Sequence, residues 1–338
     1  MRRTRLASFG GWLVTLPLTL LGLLLVTFLI GRVMPIDPVI AIVGDQASAD
    51  VYERVRLELG LDRPLYEQFF RYCTAILSGN FGRSVMTSRP VLEDITRFFP
   101  ATLELATIAT ILGVAAGIPA GVLAAVRQGG KIDQAIRFLT LIGHSVPVFV
   151  LGLVGLLVFY AKLHLVPGPG RINVAFDDIV TPVTGMLLID SAMQGEWEVF
   201  RDAVGHILLP AGVLAYFSLA YIARMTRAFM LEQLRQEYIT TARVKGMSEA
   251  RVVWRHAFGN ITVPLITVIA LSYAGLLEGS VLTETIFSWP GLGQYLTVSL
   301  LNADMNAVLG ATLVVGAVYL GLNLACDLIY RVVDPRTR

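Results

Sequence analysis

Charge is what this sequence has least of. Of its 338 residues only 15% are Asp, Glu, Lys or Arg, against 55% hydrophobic, and the mean hydropathy is +0.68. Soluble domains carry about 25% charged residues, so the deficit excludes an ordinary water-soluble globule and points to lipid as solvent. A net charge of only +2 lacks the basic footprint of a nucleic-acid binder. Cysteine is nearly absent. Cys73 and Cys326 make neither a disulfide framework nor a CxxC zinc site, and they read as a small apolar helix residue and as filler in a membrane span. Lysine is as scarce. None of Lys131, Lys162 and Lys245 is followed by Ser or Thr, so the phosphate-binding GxxxxGK[ST] loop cannot occur and the chain carries no ATP-driven motor. HExxH, GxSxG and paired acidic motifs are missing too, which argues against a membrane enzyme. His144, His164, His206 and His256 are scattered and form no metal-binding cluster.

Long apolar runs, in contrast, are plentiful. A helix needs about 20 mainly apolar residues to cross the hydrocarbon core, and six segments qualify as spans: Trp12–Arg32, Thr102–Val126, Phe138–Tyr160, Ile207–Ala223, Val263–Leu282 and Asn306–Tyr330. The ten-residue alternation of a barrel is absent. The expected fold is therefore an all-α integral membrane protein with six transmembrane helices. The run from Leu6 to Gly31 exceeds the roughly 7–15 residues of a signal-peptide core, and no small-x-small cleavage site precedes Met34. It reads as a retained first span.

Basic residues orient the chain. With the N-terminus inside, the cytoplasmic segments collect sixteen basic residues against five acids, seven of them between Arg224 and Arg255. Both termini are thus expected in the cytoplasm. Three regions follow: residues 1–33 as N-terminus and first span, 34–100 as an extracytoplasmic helical insertion, and 101–338 as the transmembrane core. Within 34–100, Val51, Val55 and Leu59 fall on one helical stripe and Phe69, Cys73 and Ile76 on another, separated at Leu61-Asp62-Arg63-Pro64, where proline ends one helix and starts the next. Residues 161–205, rich in Gly, Pro and acids, read as an irregular loop with short helices. Both segments suit packing over a pore mouth or docking of a partner.

Residues 224–262 form the one long cytoplasmic loop. Its pattern predicts a short helix, a glycine stop at Gly246, a serine N-cap at Ser248 and a second helix. Val252, Val253 and His256 share one face of that helix, and Arg251 and Arg255 another. Such an exposed helix–Gly–helix element suits insertion into a groove on a partner, or lying on lipid headgroups.

Here the sequence resembles a family. Thr240-Thr241-Ala242-x-x-x-Gly246 is similar to the EAA-type motif of binding-protein-dependent ABC transporter permeases. The longer form from Tyr238 to Gly246, followed by His256, Asn260 and Pro264, resembles the dipeptide/oligopeptide/nickel branch. So do Met34-Pro35-x-Asp37-Pro38, Leu59-Gly60-Leu61-Asp62-x-Pro64, Gly79-x-Phe81-Gly82-x-Ser84, Pro100-Ala-Thr-Leu-Glu104-Leu, the run from Leu282 through Glu284, Trp289 and Gly291 to Gly293, and Asp334-Pro335-Arg336. Thr184-Gly-Met-Leu-Leu-Ile-Asp190 resembles the dipeptide subgroup, and segment 34–100 the first (B) type of its paired permeases. Two departures from the general motif, Thr240 and Thr241 for its Glu and first Ala, and a proline 18 residues after Gly246, are shared by the peptide branch.

The resemblance implies a type I ABC importer permease in a bacterial plasma (inner) membrane, moving dipeptides or short peptides. It implies a second homologous permease, one or two ATPase subunits holding ATP and Mg, an extracytoplasmic peptide-binding protein, and no cofactor on this chain. It places Thr240, Thr241, Ala242, Lys245, Gly246, Met247, Arg251 and His256 at the ATPase contact, with Gly246 allowing a tight reversal and Ala242 a close approach.

Ionisable and helix-breaking residues inside spans are the remaining candidates. Gly143-His144-Ser145-Val146-Pro147 interrupts the third span and frees backbone carbonyls, so His144, Ser145 and Pro147 either line a hydrated pathway or sit hydrogen-bonded between helices. Glu278 is a second pathway candidate, although it and Asp327 lie toward span ends, where a charge reaches the interface. Glu104 is read as starting the second span. An ion-coupled secondary transporter is the alternative function. That class shows internal repeats and midplane carboxylates, and neither stands out here.

Overall fold

The computed structural model describes the backbone of residues 2–33, 38–44, 46–58 and 60–333, and the side chains of 17–32, 39–40, 43–44, 46–58 and 60–325. The motif at Met34–Asp37, the closing Asp334-Pro335-Arg336 and the side chains of Cys326 and Asp327 lie outside the described residues. The described residues form helices joined by irregular segments, with no strand beyond one isolated bridge between Arg83 and Pro90. It divides into two compact units, residues 1–98 with 295–319, and residues 99–294 with 320–338.

The first unit holds α1 (Arg2–Val33), α2 (Pro38–Val43), α3 (Ala49–Glu58), α4 (Leu65–Leu77) and the first turns of α5 (Val91–Val126). It also takes in most of α13 (Leu292–Leu301) and the first half of α14 (Met305–Val333). The two helices expected within 34–100 are α3 and α4, and Pro64 caps α4 as its composition predicts. The buried Gln68 amide donates to the Arg63 carbonyl at 2.7 Å, tying the preceding turn to α4. Phe28 of α1 packs on Phe69 and Tyr72, with ring centroids 5.3 and 5.7 Å apart.

The Gly79–Ser84 motif becomes legible at this level. Gly82 adopts φ +81°, and Ser84 donates to the buried Asp304 carboxylate, which also accepts the Met86 N–H at 3.2 Å. Asp94, equally buried, accepts the Thr87 hydroxyl and the Tyr295 phenol.

The second unit holds the rest of α5, α6 (Lys131–Ser145), α7 (Val148–Gly155) with a π turn over Leu156–Lys162, α8 (Leu187–Gln194), α9 (Trp197–Leu234), α10 (Glu237–Val244), α11 (Glu249–Arg251) and α12 (Phe258–Ile286). A stripe of Gly113, Gly117 and Gly121 lets α5 lie against α9. A Cβ at these positions would meet Ser218 at 2.7 Å, Ile222 at 3.2 Å and the Ala223 carbonyl at 2.6 Å. Small residues at every fourth position permit this approach, and in lipid such packing, not hydrophobic exclusion, holds helices together. Ser218 and Ser272, 2.9 Å apart and buried, join α9 to α12.

The spans differ in extent from the expectation. Among the described residues four helices are long and apolar enough to cross a membrane: Val91–Val126, Trp197–Leu234, Glu249–Ile286 and Met305–Ala325. α6 and α7 with its π turn make a fifth only as a broken pair, bent by 100° at Val146-Pro147. Proline removes a donor and disfavours helix before it, so the expected third span is no single rod. The part of α1 whose side chains are described, Pro17–Arg32, is apolar but shorter than a span. The division at residue 100 falls inside α5, which starts at Val91, so the helix begins before the apolar run that Glu104 heads. Helix persists beyond each apolar run because polar turns such as Arg224–Leu234 are good helix formers even where they cannot enter lipid.

Candidate coupling site

Most of segment 224–262 is helix continuous with its neighbours. α9 runs on to Leu234, and residues 249–286 form one unbroken helix with a π turn at Val252–Ala257. The second loop helix expected from sequence is therefore the first part of a span. The projecting piece shrinks to α10 and the turn 245–248.

That turn is a Schellman motif. The Gly246 N–H donates to the Arg243 carbonyl at 2.9 Å and the Met247 N–H to the Ala242 carbonyl at 3.2 Å, which satisfies the last carbonyls of α10. Gly246 has φ +76°, and nothing lies within 4 Å of a Cβ built on it. Backbone conformation, not space, is what requires glycine there. Ser248 occupies the N-cap position but makes no side-chain cap bond. Arg243 instead spans the turn to Glu249 at 2.7 Å. Both groups are exposed, so this pair adds little stability.

Beneath the turn is a core of its own. Ile239 and Ala242 of α10 bury against Val252, Val253, Ala257 and Ile261, with Val122 and Ala125 of α5 and Met230 of α9. Ala242 is thus a foundation residue, 5% exposed. Its small side chain lets α10 approach its own chain. Thr240, Thr241, Lys245 and Arg251 are exposed, and Met247 and His256 half-buried. Thr241 returns its hydroxyl to the Glu237 carbonyl at 3.0 Å. Asn260 donates to the Tyr238 hydroxyl at 2.9 Å and to the His256 carbonyl at 2.9 Å, locking α10 to the start of α12. Sequence reasoning missed Val244, the most exposed apolar side chain of the element at 83%. Its place beside Thr240 and Thr241 on α10 was the available signal.

The pathway candidates lie apart from this turn. His144 and Ser145 are exposed at the end of α6, and His144 makes no hydrogen bond among the described residues. Its ring lies 6.4 Å from Phe217, and it borders a cavity of about 560 Å³ lined also by Arg137, Arg224 and Arg227. Asp133, 1% exposed, takes both arms of Arg227 at 2.7 and 2.8 Å. This bidentate pair was not foreseen. Pro147 sits at the bend as the cap of α7. Glu278 is exposed on α12 beside Gly275 and Gly279, whose surfaces are open. It stands eight residues before Ile286, about 12 Å along the axis.

Two buried carboxylates, Glu284 and Glu104, tie loops of the second unit to its helices. Glu284 is fully buried and accepts Thr102 at 2.8 Å, Ser280 at 3.0 Å and the N–H groups of Gly293 and Gln294 at 2.7 and 3.0 Å. A Cβ at Gly291 would lie 2.5 Å from Glu284. Glu104 pairs with Arg171 at 2.6 Å and accepts the Leu188 N–H at 2.7 Å. Arg171 also reaches the Gly185 carbonyl at 2.9 Å and lies over the Trp289 ring. In the Thr184–Asp190 motif the Asp190 carboxylate accepts the N–H groups of Val183, Thr184 and Gly185 and the Thr184 hydroxyl. Burial would raise this carboxyl, but those donors outweigh it and hold it below the usual carboxylate range. Among the described residues no group of His, Cys, Asp and Glu is arranged to hold a metal.

Long apolar helices packed through a glycine stripe, with a capped helix–glycine turn between two of them, define a polytopic helical membrane protein. The chain belongs to the family described as binding-protein-dependent transport system inner membrane component, which matches residues 117–338, while the N-terminal region of such membrane components matches residues 11–106. It is similar to the probable D,D-dipeptide transport system permease protein DdpB of Escherichia coli (strain K12), 43% identical over 321 residues that cover 95% of this chain and 94% of the relative. The dipeptide transport system permease protein DppB of the same strain is 42% identical over 322 residues, 95% of each chain. The di/tripeptide transport system permease protein DppB of Pseudomonas aeruginosa (strain UCBPP-PA14) is 40% identical over 321 residues, again 95% of each. Among solved structures, a chain of the MetNI methionine ABC transporter in an inward-facing conformation superposes with a TM-score of 0.52 at 16% identity, covering 69% of this chain and 93% of that one. That likeness establishes a shared fold.

Proposed function

We propose that this chain forms half of the translocation pathway of an ATP-binding-cassette importer for dipeptides or short peptides. The observation that carries the reading is the coupling element: an exposed turn with its own buried foundation, built on residues of the EAA-type motif. Force applied at Thr240, Thr241, Val244, Lys245 or Met247 passes through the Ile239–Ala242–Val252 core directly into α12, because the helix beyond Ser248 is continuous with that span. A partner ATPase gripping this turn moves a membrane helix. The peptide substrate is supported by the printed names of relatives similar along nearly the whole chain.

In this reading a second permease completes a six-span-per-subunit pore, ATPases carry ATP and Mg, a binding protein delivers substrate from outside, and both termini face the cytoplasm of a bacterial inner membrane. The three regions are 1–33, 34–100 and 101–338, the last two sharing α5. Glu278 faces the pathway or the second permease, or reaches the interface near the end of its span, since an exposed carboxylate is costly against lipid. His144, Ser145 and Pro147 line the bend.

The test is co-purification from native membranes in mild detergent, with transport and ATP hydrolysis measured on the recovered complex. A second permease and one or two ATPases are expected with the wild type. Gly246→Val strains the left-handed turn and should uncouple hydrolysis from transport. Gly246→Asn, which tolerates positive φ, should retain most of the coupling. A chain that purifies alone and transports without ATP would establish the ion-driven alternative instead.

A further inference from the structure

α4 has three faces where a helix packed on one neighbour has two. At 3.6 residues per turn, Phe69, Tyr72 and Ile76 fall on the face turned toward α1, where Tyr72 donates its hydroxyl to Thr27 at 3.1 Å. Glu67, Arg71 and Thr74 form a polar face. The third face, about 100° from the first, carries Tyr66, Phe70 and Leu77. Its large side chains are left bare by the chain, Tyr66 at 77%, Phe70 at 68% and Leu77 at 81% exposed.

The depth of α4 indicates what covers that stripe. Its contacts on α1 are Thr27 and Phe28, six and five residues before the helix ends at Val33, hence about 7–9 Å inside the end of the helix. Over the Phe28 ring lies the Arg32 guanidinium, 5.5 Å from the centroid, and a basic group ending an apolar helix marks the headgroup level. Val26, Leu29 and Ile30, at the same height on α1, are themselves exposed, as lipid-facing residues are. Amphipathic helices that lie in the interface bury their apolar face about 5–10 Å into the headgroup–acyl boundary, which is the level α4 occupies, and Tyr is enriched at that boundary.

We propose that α4 is an interfacial helix, its Tyr66–Phe70–Leu77 stripe seated in the lipid leaflet on the side where residues 34–100 emerge, with Glu67, Arg71 and Thr74 turned to water. The occupant is lipid, and the helix sets the height of α1 and of the segment that follows it. The proposal rests only on α1 crossing the membrane.

The experiment places nitroxide labels on the full chain, purified from membranes with whatever subunits accompany it and inserted in phospholipid nanodiscs. In a Cys73→Ser, Cys326→Ser background, single sites are Tyr66→Cys, Phe70→Cys and Leu77→Cys on the stripe, Glu67→Cys and Thr74→Cys on the polar face, and Leu29→Cys on α1. Collisions with oxygen, which partitions into lipid, are compared with collisions with a water-soluble nickel chelate. The oxygen-to-nickel ratio should be several-fold higher at 66, 70 and 77 than at 67 and 74, and comparable to that at 29. Equal nickel access at both sets places the stripe in water and overturns the proposal. Low access to both reagents at 66, 70 and 77 means that protein covers it, which overturns it equally. Nickel access at 29 as well would show that α1 does not span, and the premise itself would fail.

Discussion

At the scale of single residues, the family-like motifs resolve into backbone capping. Glu284, Asp190, Asp304 and Gly246 each satisfy or terminate backbone at a turn, and each sits where a helix starts or stops. Gly246 was legible because a glycine that closes one helical run just before the N-cap of the next has one common use. Asp190 was not, since its partners Val183, Thr184 and Gly185 become donors only once the turn has closed. Its sign with pH follows from those bonds. The folded carboxyl is held below the unfolded value of about 3.9, so its contribution is complete above that pH and is lost as pH falls through the folded value. Asp190→Asn should cost about 1–3 kcal/mol at neutral pH, because its amide faces N–H donors that then lack an acceptor. Thermal melts in detergent at pH 6 and pH 3 check this. The gap between wild type and variant should narrow at the lower pH, and an unchanged gap would remove Asp190 from the account.

At the scale of elements, hydropathy identified the apolar stretches, while the helices that carry them run further. Helices α9 and α12 extend past their apolar runs, and α6–α7 bends at Pro147. Apolarity reports solvent, whereas helix continuation depends on propensity and on packing partners. The Gly113–Gly117–Gly121 stripe shows the same limit. Glycine in a helix reads as a weakness until a second helix is laid against it. Gly117→Leu should therefore wedge α5 from α9, since even a Cβ there meets Ile222 and the Leu219 carbonyl at 3.2 Å. Overpacking of this kind costs about 1–3 kcal/mol. Gly279→Leu, on an open surface, serves as the matched control. Monodisperse protein recovered in detergent should fall for the first and stay near wild type for the second, and equal recovery would contradict the close packing.

At the scale of the whole molecule, orientation is an argument from charge, and it makes a direct prediction. In a cysteine-free background, Val244→Cys should react with a membrane-impermeant maleimide only after the membrane is opened, and Asn80→Cys in intact spheroplasts. The reverse pattern would invert the topology and remove the turn at Gly246 from any cytoplasmic ATPase.

The sequence alone determined the solvent of this protein, its helical class, its lack of a nucleotide loop and the position of the helix–glycine turn at Gly246. Each of these is a property of composition or of residues within one or two helical turns. Only the tertiary structure decided that Ala242 is buried, that the loop's second helix is the root of a span, that Asp133 holds Arg227, and that one face of α4 is left bare. Those facts depend on packing between residues up to about 120 positions apart, and no local pattern records which partner a side chain will find.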